Sequence, residues 1–109
     1  MASISSDQGD AEVPLVTIDD MIGTDTPIDL IKMDVEGEEE PALRGAEQTF
    51  KRCRPALIIE ILTDHSFRTV QGLLRNWGYS KIWHLGPARV VPTNVFVEDV
   101  GDRNYLFRQ

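Results

Sequence analysis

The sequence predicts an α/β fold built on a mostly parallel sheet with an antiparallel last strand. Two observations carry most of this. Residues 28–35 (IDLIKMDV) and 56–62 (ALIIEIL) are nearly unbroken apolar runs of strand length, the pattern of strands covered on both faces. Each is followed by apolar residues at helical spacing, so the order reads strand, helix, strand, helix, strand, strand. That order favours right-handed crossovers within one sheet.

In chain order, residues 1–12 are rich in Ser, Asp, Gln, Gly and Glu and bury too little to offset their ordering entropy, so they read as a flexible leader. Residues 13–16 form a short extended piece. Thr17, with Asp20 three residues on, has the spacing of a helix start, and a one-turn helix runs through Met21. Residues 23–27 are loop chemistry, with Pro27 pushing Thr26 towards an extended conformation. After the strand at 28–35, which Gly37 ends, Leu43, Ala46, Phe50 and Cys53 mark one amphipathic helix. Pro41 suits its first turn, and Glu38, Glu39 and Glu40 complement the positive end of its dipole. Beyond Pro55 and the strand at 56–62, Phe67, Val70, Leu73, Leu74 and Trp77 make a second stripe, with Gly78 as a left-handed cap. Residues 79–85 read as a strand broken by Gly86 and Pro87. Residues 95–97 are weakly strand-like, and 103–107 close the sheet antiparallel to its neighbours.

Composition removes several function classes. At 109 residues, 41% hydrophobic and 27% charged, the chain supports one small core. Eighteen acidic against 11 basic side chains give a net charge of -7, which repels phosphate backbones and anionic lipid surfaces, so nucleic acid and membrane are poor partners. No apolar run approaches the roughly 20 residues of a spanning helix, and the N-terminus lacks a signal segment. A single cysteine, Cys53, forms no internal disulfide and belongs to no zinc spacing, which fits a reducing cytoplasm.

In sheets of this kind ligands bind outside the carboxyl ends of the strands. Those ends carry Asp34, Glu36 and Glu60.

The stretch 28–61, IDLIKMDVEGEEEPALRGAEQTFKRCRPALIIEI, resembles the central signature of the FkbM family of methyltransferases. The likeness rests on Asp29, Ile31, Lys32, Asp34, Val35, Glu36, Gly37 and Glu39, then Leu43, Gly45 and Ala46, then Arg54, Pro55, Glu60 and Ile61. Upstream, Val16, Thr17, Asp19 and Asp20 are similar to the family's Leu-Asp-Asp lead-in, and Asn104 to Phe107 look like its last strand. Glu38, Pro41 and residues 84–99 depart from the pattern. The resemblance implies a partial Rossmann-like methyltransferase sheet, with residues 13–109 as the C-terminal half of a class I methyltransferase-like domain. The family's opening strand and Gly-rich cofactor loop have no counterpart here, since no Gly-x-Gly pattern occurs.

On that resemblance Asp34 is the first site candidate, beside both the methyl donor, S-adenosylmethionine, and the acceptor. There it orients a hydroxyl or accepts its proton; the plain alternative is a solvated strand-end carboxylate. Glu36 and Glu39 complete an acidic cluster or merely serve the helix start, and nothing in their spacing demands a metal. Glu60, costly to bury unpaired, points into the strand-end cleft or pairs with a base. His65, in the following loop, is a candidate proton acceptor or simply solvated. His84 has no catalytic partner, Cys53 lies on an apolar stripe, and Lys32 is a strand residue of open role.

The implied activity is transfer of a methyl group from S-adenosylmethionine to the hydroxyl of a small-molecule acceptor or sugar. The competing reading is a non-catalytic remnant or fragment acting as an association module. Because the strand at 28–35 lacks one family neighbour, its open edge, or the apolar surface beside it, predicts a homodimer or larger assembly.

Overall fold

The computed structural model describes residues 17–35, 37–98 and 101–109; the expected leader and the piece at 13–16 lie outside them. The first element is α1 (Ile18–Ile22). It starts as its spacing predicts, with the Thr17 hydroxyl accepting the Asp20 N–H at 3.0 Å. Strand β1 (Leu30–Met33) follows, then two short helices, α2 (Glu39–Arg44) and α3 (Glu47–Cys53). Next come β2 (Ala56–Glu60), α4 (Asp64–Asn76), β3 (Lys81–Leu85), β4 (Val90–Pro92) and β5 (Asn104–Arg108).

The single helix expected after β1 is therefore two, and the break has a local cause. Gly45 and Ala46 leave the helical path, and the Asp19 N–H donates to the Gly45 carbonyl at 2.9 Å. No side chain of α3 itself caps its first turn. Asp19 does so from α1, its carboxylate accepting the N–H groups of Gln48 and Thr49 at 3.0 and 2.9 Å. Glycine suits the close approach at the break, since a Cβ on Gly45 would stand 3.0 Å from the Thr17 Cβ.

The five strands are ordered β1-β2-β5-β3-β4. Only β1 and β2 pair in parallel; β5 is antiparallel to both β2 and β3, and β4 is antiparallel to β3. The sheet is thus mixed, not mostly parallel. The antiparallel last strand is present, and it lies between β2 and β3, where it replaces the parallel contact those strands would otherwise make. Residues 95–97 are not a strand. The Val97 N–H instead donates to the Tyr105 hydroxyl at 2.8 Å, and the Thr93 hydroxyl closes a turn with Val95. The Gly86-Pro87 break is the tip of the β3–β4 hairpin, closed by Gly86 N–H donating to the Arg89 carbonyl.

Burial alternates along β1, β2, β3 and β5, so each is covered on one face, against the expectation of two. The covered face carries Ile31, Met33, Leu57, Ile59, Ile82, Tyr105 and Phe107, which form one cluster with Leu43 of α2, Phe50 of α3 and Phe67, Val70 and Leu74 of α4. Phe67 packs its ring against Tyr105 and Phe107. Full burial of each such side chain contributes roughly 1.5–3 kcal/mol. Helix α4 ends as its glycine predicts: Gly78 has φ +91° and the Tyr79 N–H closes back on the Leu74 carbonyl.

Candidate active site

Parallel pairing sets Met33 opposite Ile59. Asp34 follows Met33, the last residue of β1, and Glu60 follows Ile59 as the last residue of β2. Both leave the sheet at its carboxyl edge. Asp34 is exposed and Glu60 half-buried, and Glu60 lies opposite Asn104 of β5. This pair is the acidic end that the sequence predicts.

The other candidates are placed differently. Glu36 lies outside the described residues. Glu39 is 4% exposed, and its carboxylate turns back to accept the Gly37 N–H at 3.1 Å. Gly37 has φ +79°, so Glu39 holds the left-handed turn that follows Asp34. His65 is the second residue of α4, not a loop residue, and its ring is exposed. Thr63 caps that helix by accepting the Ser66 N–H at 3.0 Å. Among the described residues no three His, Cys, Asp or Glu side chains gather closely enough to hold a metal ion.

Two further residues reach this edge through the antiparallel entry of β5. The Arg103 guanidinium donates to the Leu62 carbonyl at 3.1 Å, and its own carbonyl accepts the Ile61 N–H at 2.9 Å. Asn104 stands between Glu60 and Leu85 in the register. An antiparallel strand begins where its parallel neighbours end, and that direction was the available signal.

His84, Cys53 and Lys32 are placed as follows. His84 is buried edge-on against Tyr105, and its Nε2–H donates to the Asp102 carbonyl at 2.8 Å. The Cys53 thiol faces the Thr26 carbonyl at 3.6 Å. Lys32 projects from the exposed face of β1. A groove of about 610 Å³ lies elsewhere, between α4 and residues 94–98. Of the described candidates, Asp34, Glu39, Glu60 and His65 do not line it.

Asp34 and Glu60 thus lie at the carboxyl ends of the one parallel strand pair among the described residues, in an α/β domain with a mixed sheet. The chain belongs to the FkbM methyltransferase-domain family, whose model matches residues 2–81. That span opens inside the sequence-predicted leader and ends at the first residue of β3, so the likeness read at 104–107 falls outside it. No curated protein matches the chain, and no solved structure does. Family membership points to methyl transfer as the activity. No helix among the described residues is long and apolar enough to cross a membrane.

Proposed function

We propose that this chain serves S-adenosylmethionine-dependent methyl transfer to oxygen, with a small-molecule or sugar hydroxyl as the acceptor. The observation that supports this reading is that Asp34 and Glu60 lie at the carboxyl ends of the parallel-paired strands β1 and β2, in a chain of a methyltransferase family. When bound, the donor supplies a methyl group on a sulfonium, a good leaving group, so little covalent chemistry falls to the protein. The work left to it is alignment and removal of one proton. Asp34 orients the acceptor hydroxyl and takes its proton. Glu39 acts through the Gly37 turn and is a positioning residue. Glu60 and Asn104 shape the floor between them, and His65 and Glu36 are the remaining candidates for the rim.

The donor's fit to these residues divides in two. A positively charged sulfonium suits an acidic strand end. The adenosine end needs a cradle such as a Gly-rich turn at a helix N-terminus, and the sequence contains no Gly-x-Gly. We read residues 13–109 as the C-terminal, acceptor-side half of a class I methyltransferase-like domain, its strands forming part of a Rossmann-like sheet. A reducing cytoplasm suits the single cysteine.

The second reading, an association module without catalysis, is favoured by the sheet face that no helix among the described residues covers. Isothermal titration with S-adenosylmethionine and with S-adenosylhomocysteine separates the two. Micromolar affinity for both supports methyl transfer by this chain. Absence of binding removes that reading and leaves the association module.

A further inference from the structure

The groove beside α4 is separate from the strand ends and has a chemistry of its own. Its volume of about 610 Å³ falls within the roughly 300–1,000 Å³ of sites that take small molecules. One wall is the face of α4 on which Asp64, Arg68, Gln71, Gly72 and Arg75 recur at helical spacing. The other is the chain at 94–98. The Gln71 amide donates to the Asn94 carbonyl at 3.1 Å, and the Phe96 ring packs against Phe67 with 6.3 Å between centroids. The 94–98 chain therefore runs back towards the start of α4, which puts Val95 towards the Arg75 end of the groove and Glu98 towards the Asp64 end.

Gly72 is the member of this wall that the fold does not explain. It lies inside a 13-residue helix, where glycine is worse than every residue but proline. Its backbone is helical, and a Cβ there would meet nothing within 4 Å. Neither conformation nor crowding within the described residues asks for glycine at this position. A Cβ would instead stand in the groove that Gly72 lines. Its absence leaves bare helix backbone as a flat surface that a ligand can approach closely.

Charge is divided along the groove. Towards the start of α4 the Arg68 guanidinium is held by Asp64, Nε to Oδ2 at 3.0 Å, and Glu98 adds a negative charge. At the other end Arg75 forms no ion pair among the described residues. Between the ends lie Gly72, the half-buried Phe96 and Val95, which is 60% exposed. An apolar floor that ends at a cation fits one class of occupant: a flat apolar body resting on Gly72 between α4 and Phe96, with an anionic group at Arg75.

We propose that this groove binds a small amphipathic anion, a planar apolar molecule bearing one carboxylate, sulfonate or phosphate group. The inference does not depend on methyl transfer, because its readout is binding by residues remote from the strand-end carboxylates in the chain's chemistry.

The test uses the full chain and two probes that differ by one charged group, anilinonaphthalene sulfonate and the neutral phenylnaphthylamine. Binding is followed by fluorescence and by backbone amide shifts, with near-ultraviolet circular dichroism and a thermal melt of each variant. The expected result is saturable binding of one sulfonate probe per chain with native spectra retained, and amide shifts concentrated at Gly72, Val95 and Phe96. Gly72→Gln fills the groove with a polar side chain. It should weaken binding at least tenfold while the melting temperature holds or rises, because glutamine is the better helix former. Gly72→Ala, the smaller change, should raise the melting temperature and weaken binding in the same direction. Arg75→Gln should weaken the sulfonate probe about threefold, the scale of an exposed ion pair, and leave the neutral probe unchanged. Absence of saturable binding by the full chain, or binding only as native spectra are lost, overturns the proposal. Undiminished affinity in Gly72→Gln overturns it in favour of another surface. A lower melting temperature in Gly72→Ala gives the glycine a structural reason and overturns it as well. Sulfonate binding indifferent to Arg75→Gln, or a loss shared by both probes, overturns the anionic class.

Discussion

The Asp19 carboxylate reaches across to α3 and accepts both the hydroxyl and the backbone N–H of Thr49, at 2.7 and 2.9 Å. One side chain from α1 thereby supplies the cap that α3 lacks and ties together segments 30 residues apart. The Asp19 backbone N–H also holds the α2–α3 break, donating to the Gly45 carbonyl at 2.9 Å. Asp19→Ala should cost about 2 kcal/mol, the upper end for loss of a helix cap. Thr49→Val, which keeps the N–H bond, should cost less. Urea unfolding of the three proteins measures the difference; a loss below about 0.5 kcal/mol in Asp19→Ala would mean that water replaces the cap.

Glu39 and Gly37 make a second, shorter tie. A buried carboxylate accepting a backbone N–H is a charge-assisted bond worth about 1.5–3 kcal/mol. Glu39→Ala should therefore destabilise by that order, while Glu39→Gln, which keeps an acceptor oxygen, should retain most of the stability. Rescue by Gln of both thermal midpoint and methyl transfer would identify Glu39 as a positioning residue. Activity lost in Gln with stability kept would give its charge a direct part in the chemistry.

Tyr79 lies in the core under α3, its hydroxyl donating to the Pro55 carbonyl at 2.6 Å. Burial raises its pKa from 10.0 to about 12, partly opposed by Arg54. The folded chain thus holds this proton after the unfolded chain has released it. The associated stability is fully present below pH 10.0 and is lost as the pH rises towards about 12. Burial raises the Tyr105 pKa as well, so some alkaline sensitivity should remain without Tyr79. Tyr79→Phe should cost about 1 kcal/mol at neutral pH through the lost hydrogen bond and flatten the alkaline limb. A limb unchanged in Tyr79→Phe would assign it to other groups.

What the sequence made legible was mostly local. Thr17 as a cap, Gly78 as a left-handed residue and Asp34 at a strand end each follow from neighbours within a few positions, and the structure has them there. The break at Gly45 was hidden because its cause is Asp19, far upstream. The face that no described helix covers was hidden for a different reason. Ile58 and Leu106 are as apolar as Leu57 and Phe107, and hydropathy alone cannot say which side a helix will cover. Arg103 and Asn104 were missed as site residues because they come after the last loop, and only the insertion of β5 between β2 and β3 brings them to the carboxyl edge. His65 was misread by one structural state: Thr63 starts the helix early enough to include it.

Asp34, in the proposed function, handles the acceptor and does not hold the fold together. The most direct measurement is methyl transfer from labelled S-adenosylmethionine to a panel of hydroxyl acceptors, by the unaltered chain and by Asp34→Asn, with the thermal midpoint of each. The prediction is a rate at least tenfold lower in Asp34→Asn, the lower range for loss of a positioned proton acceptor being about 100-fold, and a midpoint that moves little because Asp34 is exposed. Equal rates, no transfer by the unaltered chain, or a collapsed midpoint with activity per folded molecule intact would contradict it.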